Sequence, residues 1–135
     1  MTKMKIYLAA QYRRREELCR YREELHNRGF LVTSRWLNGD HHMPDHSPSD
    51  YQHAENQRFA KEDLEDLELA DVVISFTEPA RTGPSRGGRH VEFGYAQALE
   101  KICAVVGHRE NVFHFLPNVV FFPAWDGVIA WVSEL

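Results

Sequence analysis

The run Asp71-Val72-Val73-Ile74-Ser75-Phe76 constrains the fold more than any other stretch of this chain. It is short, β-branched and not interrupted by polar alternation, which is the pattern of a strand buried on both faces. Met4-Lys5-Ile6-Tyr7-Leu8-Ala9-Ala10, Phe30 to Ser34, Ile102 to Val106 and Val119 to Phe122 have the same character. Helical spacing fills the gaps between them. From about Tyr12 to Arg28, Leu18, Tyr21 and Leu25 share one face, and Gly29 follows as a stop. Further helices are expected over roughly Ser49 to Leu69, Arg89 to Lys101, within Glu110 to Leu116, and from Trp125 to Leu135. Buried strands alternating with helices predict an α/β fold: one doubly wound, five-stranded parallel sheet with order near 2-1-3-4-5, Rossmann- or flavodoxin-like, flanked by helices. The 135 residues suit one such domain, spanning 1–135.

In a sheet wound this way the binding crevice lies beyond the carboxyl ends of the strands, where the winding reverses. That places a site between the loop after strand 1 (Ala9 to Arg15) and the loop after strand 3 (Thr77 to Arg89). A net charge of −4 argues against a basic surface for nucleic acid. There is no membrane-length apolar stretch or secretory leader. Cys19 and Cys103 read as buried thiols of a reducing compartment, so no membrane partner and a cytoplasmic location are expected.

Glu92 is the most informative residue of the predicted crevice. At helical spacing it shares a stripe with Ala96 and Leu99, so its carboxylate runs along an apolar face. Burying a charge is costly without a partner or a task, and a helix start stabilises an anion. An ionised, oriented carboxylate suits a nucleophile for an electrophilic carbon; an ordinary helix-start carboxylate paired with Arg89 is the plainer alternative. Gly94, inside the same helix, costs about 1 kcal/mol relative to alanine, and close backbone packing would compensate for it. Asp63 falls on the apolar stripe of its own helix with Phe59, Leu67 and Ala70, while Glu62, Glu65, Asp66 and Glu68 are expected to face solvent. Apolar surroundings raise a carboxyl pKa toward what a proton donor needs. Asp63 and Glu92 together fit the acid and nucleophile of glycosyl transfer, and Asp63 as a solvated acid is the alternative.

The loop after strand 1 carries Gln11, Tyr12, Arg13 and Arg14, followed by Arg15. Arginines at a helix start recognise phosphate, or else pair with Glu16 and Glu17. Ser85, Gly87 and Gly88 offer a second nest of amides ahead of the Glu92 helix. Tyr7, Tyr12 and Trp36 lie at the ends of the first two strands, where rings stack on a planar base or pack the rim. His41, His42, His46 and His53 form a histidine-rich stretch that lacks recognisable zinc-ligand spacing and is expected to be a polar lid; no metal is assigned.

Three segments read together resemble the nucleoside 2-deoxyribosyltransferase superfamily, including its nucleotide N-hydrolases. They are Lys5 to Tyr12, Asp63 to Ile74, and Gly87-Gly88-Arg89-His90-Val91-Glu92-Phe93-Gly94-Tyr95-Ala96; the tail Glu110 to Pro117 adds a fourth. The resemblance implies cleavage of an N-glycosidic bond without a cofactor. Glu92 would attack the anomeric carbon, Asp63 would protonate the departing base, and Tyr7 would orient Glu92. Tyr12 would pack on the base, and Ser85, Gly87, Gly88 and Arg89 would hold the sugar or its 5′-phosphate. It also implies a homo-oligomer in which a neighbour completes the site, at positions matching Asn111 and His114. Where transferases of the family carry an acidic residue before the nucleophile, this chain has Ser85, Arg86 and Arg89. An arginine-lined loop suits a 5′-phosphate, so a (deoxy)nucleoside 5′-monophosphate is the expected small-molecule substrate, with water or a second base as acceptor. Cleavage of NAD at its nicotinamide–ribose bond and a non-catalytic nucleotide sensor are the competing readings.

Overall fold

The computed structural model describes residues 4–39, 41, 50–79 and 86–135. Five strands, β1 (Lys5–Ala9), β2 (Leu31–Val32), β3 (Val72–Phe76), β4 (Ile102–Val106) and β5 (Val119–Phe122), pair in parallel in the order β2-β1-β3-β4-β5. This is the order expected from the alternation. β3 is central and buried along its whole length, as its unbroken apolar run requires. The helices are α1 (Arg15–Asn27), α2 (Asp50–Leu69), α3 (Gly88–Ala98) and α4 (Val128–Ser133).

Alternating side chains split the sheet into two packed faces. Tyr7 is in register with Val73, and Val73 with Cys103; this face meets α3, because Tyr7 reaches Glu92. Leu8, Ile74 and Phe76 belong to the other face, where Phe76 stacks on Tyr21 of α1 with ring centroids 5.4 Å apart. Trp125 stacks in turn on Tyr21, at 4.3 Å.

β2 is shorter than its apolar run. The strand was expected to continue to Ser34, but the Ser34 hydroxyl takes over as partner to β1, accepting from the Leu8 N–H at 2.8 Å. The Trp36 indole N–H then donates to the Leu8 carbonyl, also at 2.8 Å. Side chains thus replace a main-chain ladder, and the chain turns into a short 3-10 turn at Arg35–Asn38. A similar turn at Tyr12–Arg14 precedes α1, so that expected helix starts three residues later than its spacing implied. The closing helix is also shorter than expected and starts after Gly127, whose φ of 89° only glycine adopts readily.

Candidate active site

Glu92 lies one turn into α3, and the fully buried Tyr7 of β1 donates its hydroxyl hydrogen to Oε2 of Glu92. The two residues are 85 positions apart and meet because β1 and α3 pack together at the centre of the sheet. Burial pushes the Glu92 carboxyl up from 4.5 to about 8; the Tyr7 bond opposes this, while the charges of Asp63 and Asp66 add to it. The sequence pointed to a carboxylate kept ionised by the helix start. Desolvation outweighs that effect, and Glu92 lies past the first turn, where the dipole weakens. Tyr7 is driven well above its ordinary range, first by burial and then by the charges of Glu92 and Asp63, so it remains a neutral donor.

Asp63 approaches from α2 and is close enough to Tyr7 and Glu92 for its charge to raise both. Its own carboxyl is raised by burial, against the influence of His41. His41 is nearly enclosed, stacks on Phe59 with centroids 4.7 Å apart, and places Nδ1 2.8 Å from Asp63 Oδ1. The expected polar lid is therefore, at its one described residue before α2, a packed wall. His42 and His46 lie outside the described residues. Among the described residues no cluster of three His, Cys, Asp or Glu side chains could hold a metal ion.

Asp66 corrects the sequence reading. It was placed toward solvent, yet only 3% of its surface is exposed, and it accepts from the Arg35 N–H at 2.9 Å and from Arg35 Nε at 2.8 Å. Positions 59, 63, 66 and 70 fit helical spacing as well as 59, 63, 67 and 70, so both Asp66 and Leu67 turn inward. Gly94 is a second correction. It is exposed, and a Cβ there would meet no described atom within 4 Å, so close packing does not explain it. Leu99, taken for part of the Glu92 stripe, is 41% exposed.

The arginines are drawn into ion pairs. Arg14 bonds Glu17 at 2.7 Å and Glu78 at 3.0 Å, and donates to the Thr77 carbonyl. Arg13 also reaches Glu78, at 3.2 Å, and bonds Gln11. Arg89 is buried, with one nitrogen 2.7 and 2.6 Å from the two carboxylate oxygens of Glu110. Glu110 also accepts from the Glu78 N–H at 2.7 Å. Burial would raise its carboxyl, but Arg89 and this N–H together hold it below its usual range. Glu78 and Glu110 thus tie together the loops that follow β1, β3 and β4, a hub that no local sequence pattern indicated. Replacing Glu110 by alanine would deprive the buried Arg89 guanidinium of this carboxylate. A loss of roughly 1–3 kcal/mol is expected in urea unfolding.

Other candidates are distributed as follows. Tyr12 donates its hydroxyl hydrogen to the Gly39 carbonyl, and its ring lies 6.3 Å from that of Trp36. Trp36 is itself buried, with its N–H committed to Leu8, so it backs Tyr12 from within the core. Gly87, at φ 80°, caps α3, and a Cβ at Gly88 would meet no described atom within 4 Å. Ser85 lies outside the described residues. The buried Gln11 Nε2 and His114 Nε2 have no hydrogen-bond partner among the described residues. Asn111 caps the turn Val112–Phe115 through the Phe113 N–H, and His114 is buried edge-on against Phe93.

A doubly wound parallel sheet in which Tyr7 of β1 bonds Glu92 of α3, with the Asp63 carboxyl near enough to act on both, fits a small-molecule α/β enzyme scaffold. The nucleoside 2-deoxyribosyltransferase family model matches residues 6–122. The chain belongs to that family and is a glycosyl-transferring enzyme of the deoxyribosyltransferase type. The solved 2-deoxyribosyltransferase from Bacillus psychrosaccharolyticus superposes with a TM-score of 0.66 at 20% identity, covering 95% of each chain. That from Leishmania mexicana gives the same TM-score at 13% identity, covering 97% of each. At such identities the likeness is one of fold. No curated protein sequence matches the chain. No helix among the described residues is long and apolar enough to cross a membrane.

Proposed function

We propose that the protein cleaves the N-glycosidic bond of a 2′-deoxynucleoside by double displacement. Glu92 attacks C1′ from the face opposite the base and forms a glycosyl ester. Asp63 protonates the departing base, and water or a second base then takes the sugar from Glu92. The observation that carries this reading is the Tyr7 hydroxyl bonded to a desolvated Glu92 carboxyl, with Asp63 close enough to act on both. Two of the arginines expected to bind a 5′-phosphate hold carboxylates instead: Glu17 and Glu78 for Arg14, Glu110 for Arg89. A phosphate held by Arg14 or Arg89 would have to displace them, which favours the nucleoside over its monophosphate. In this reading Tyr12 and Gln11, just after β1, would bound the base, and Gly87 and Gly88 the sugar.

The turn Val112–Phe115 and the residue after it expose Val112, Phe113, Phe115 and Leu116. Such an apolar patch supports a homo-oligomer in which a second copy covers this turn and closes the neighbouring site. Sedimentation would read this as a species larger than the 15.8 kDa chain.

The chemistry is tested by incubating the protein with deoxynucleosides, their 5′-monophosphates and NAD, with and without an acceptor base, and separating free base by chromatography. Base release from deoxynucleosides is expected, and ligand binding without turnover on prolonged incubation would favour a sensor. The pH profile follows from the coupled carboxyls. Between their two titrations the pair carries one proton, and the reactive arrangement places it on Asp63 with Glu92 ionised. Below the Asp63 titration both are protonated and no nucleophile exists; above about 8 both are ionised and no acid exists. A bell with its alkaline limb near 8 is expected. In Asp63→Asn the charge that raises Glu92 is gone, so the residual activity should rise at lower pH and show no alkaline fall.

A further inference from the structure

His41 has no part in the chemistry so far, although its imidazole is one of the best-held side chains around the crevice. Its side chain is 3% exposed, its ring stacks on Phe59, Nδ1 lies 2.8 Å from Asp63 Oδ1, and Nε2 lies 3.4 Å from Glu62 Oε2. Enclosing an imidazole costs free energy unless its nitrogens are satisfied, and here α2 supplies a carboxyl at each. The charged groups of α2 around it are Glu62, Asp63 and Asp66, the last through its charge. Glu62 is already paired with Arg58 at 2.9 Å and with Arg35 at 3.5 Å, so Asp63 is the shorter and less encumbered partner.

We infer that His41 is a positioning residue for the acid: its Nδ1–H, donated to Asp63 Oδ1, fixes the carboxyl proton on Oδ2 and stabilises the charge left on Asp63 as the base departs. The inference rests on the reading of Asp63 as proton donor. A neutral carboxyl carries one O–H, and an oxygen accepting from His41 is the poorer place for it. In the step itself the C1′–N bond breaks with its electron pair going to the base, the O–H of Asp63 breaks, and an N–H forms on the base. The product carboxylate accepts from His41 through a charge-assisted bond, about twice as strong as its neutral counterpart. The interaction therefore grows toward the transition state, which is the condition for lowering a barrier. Burial raises the Asp63 carboxyl and favours its protonated form before the step.

The test compares two leaving groups. A purine deoxynucleoside departs by taking a proton at N7, whereas the same nucleoside methylated at N7 leaves as a neutral base without one. His41→Ala is expected to lower kcat on the unmodified purine by roughly tenfold, a part of the ~10²–10⁴ that a general acid supplies. The N7-methylated substrate should be almost unaffected, and its turnover shows that the variant is folded. In His41→Asn the amide N–H takes the place of Nδ1–H and should restore most of the loss. Equal losses on both substrates, or none on either, would overturn the inference. If Glu92→Ala abolishes turnover while His41→Ala changes nothing, only this inference fails. If Glu92→Ala stays fully active, the double-displacement reading fails, and this inference with it.

Discussion

Glu92→Ala is expected to lower kcat/KM for deoxynucleoside cleavage by at least roughly a thousandfold, with substrate affinity little changed. The size follows from what the carboxylate does: it supplies the covalent route, and water in its place attacks an undistorted sugar without an oriented lone pair. The alanine also opens a space beneath C1′ that a small anion can enter. Azide should partly restore base release and give a glycosyl azide that has undergone one displacement instead of two. Formate should rescue turnover in the same way but leave no stable adduct. Both effects depend on the anion standing where the Glu92 oxygens stood, bonded by the Tyr7 hydroxyl, so Tyr7→Phe in the same background should weaken the rescue. Base release measured by chromatography with and without the anions, and mass spectrometry of the sugar product, are the readouts. Retention of full activity by Glu92→Ala would remove the nucleophile from the proposed mechanism.

Which parts of this site were legible in the sequence has a physical explanation. Periodicity reports which side of an element is buried, so the alternation of buried strands with helices, the strand order it implies and the burial of β3 could all be read from it. The meeting of Tyr7 and Glu92 came from the resemblance to a family, since nothing local connects residues 85 positions apart. What escaped were interactions set by angle and not by spacing. Asp63 and Asp66 both fit an inward stripe, and only the Arg35 main chain and guanidinium decide that Asp66 is enclosed. The arginine run after β1 looked like a phosphate cradle because Glu78, which Arg13 and Arg14 engage, comes from another loop, just as Glu110 reaches Arg89 from the loop after β4. Glu92 was expected to be ionised because a helix start favours an anion. The same residue's burial acts the opposite way and dominates, and sequence carries no measure of desolvation depth.

That desolvation has a consequence for stability, which leads to the second large effect: Glu92→Gln should abolish turnover and yet make the protein more stable at alkaline pH. The Glu92 carboxyl titrates near its ordinary 4.5 in the unfolded chain and near about 8 in the folded one. Below 4.5 it is protonated in both states and contributes no pH dependence. Between the two values the folded state holds a proton that unfolding releases, so stability falls as pH rises, by up to about 1.4 kcal/mol per pH unit. Above about 8 the residue is ionised in both states and the loss is complete. Glutamine removes this titration, and it keeps an oxygen to accept from Tyr7. Because Glu92 is only part-buried by exposed surface, roughly 2 kcal/mol is the expected difference at pH 9, a rise in Tm of ~5 °C or more. Thermal melts of the two proteins at pH 5, 7 and 9 should nearly coincide at the first and diverge by the last. Parallel curves would mean that the folded protein bears no cost for an ionised Glu92. The same desolvation that destabilises the ionised carboxylate makes it a stronger nucleophile once the sugar carbon develops positive charge. The stability lost at this position and the rate gained there therefore come from one cause.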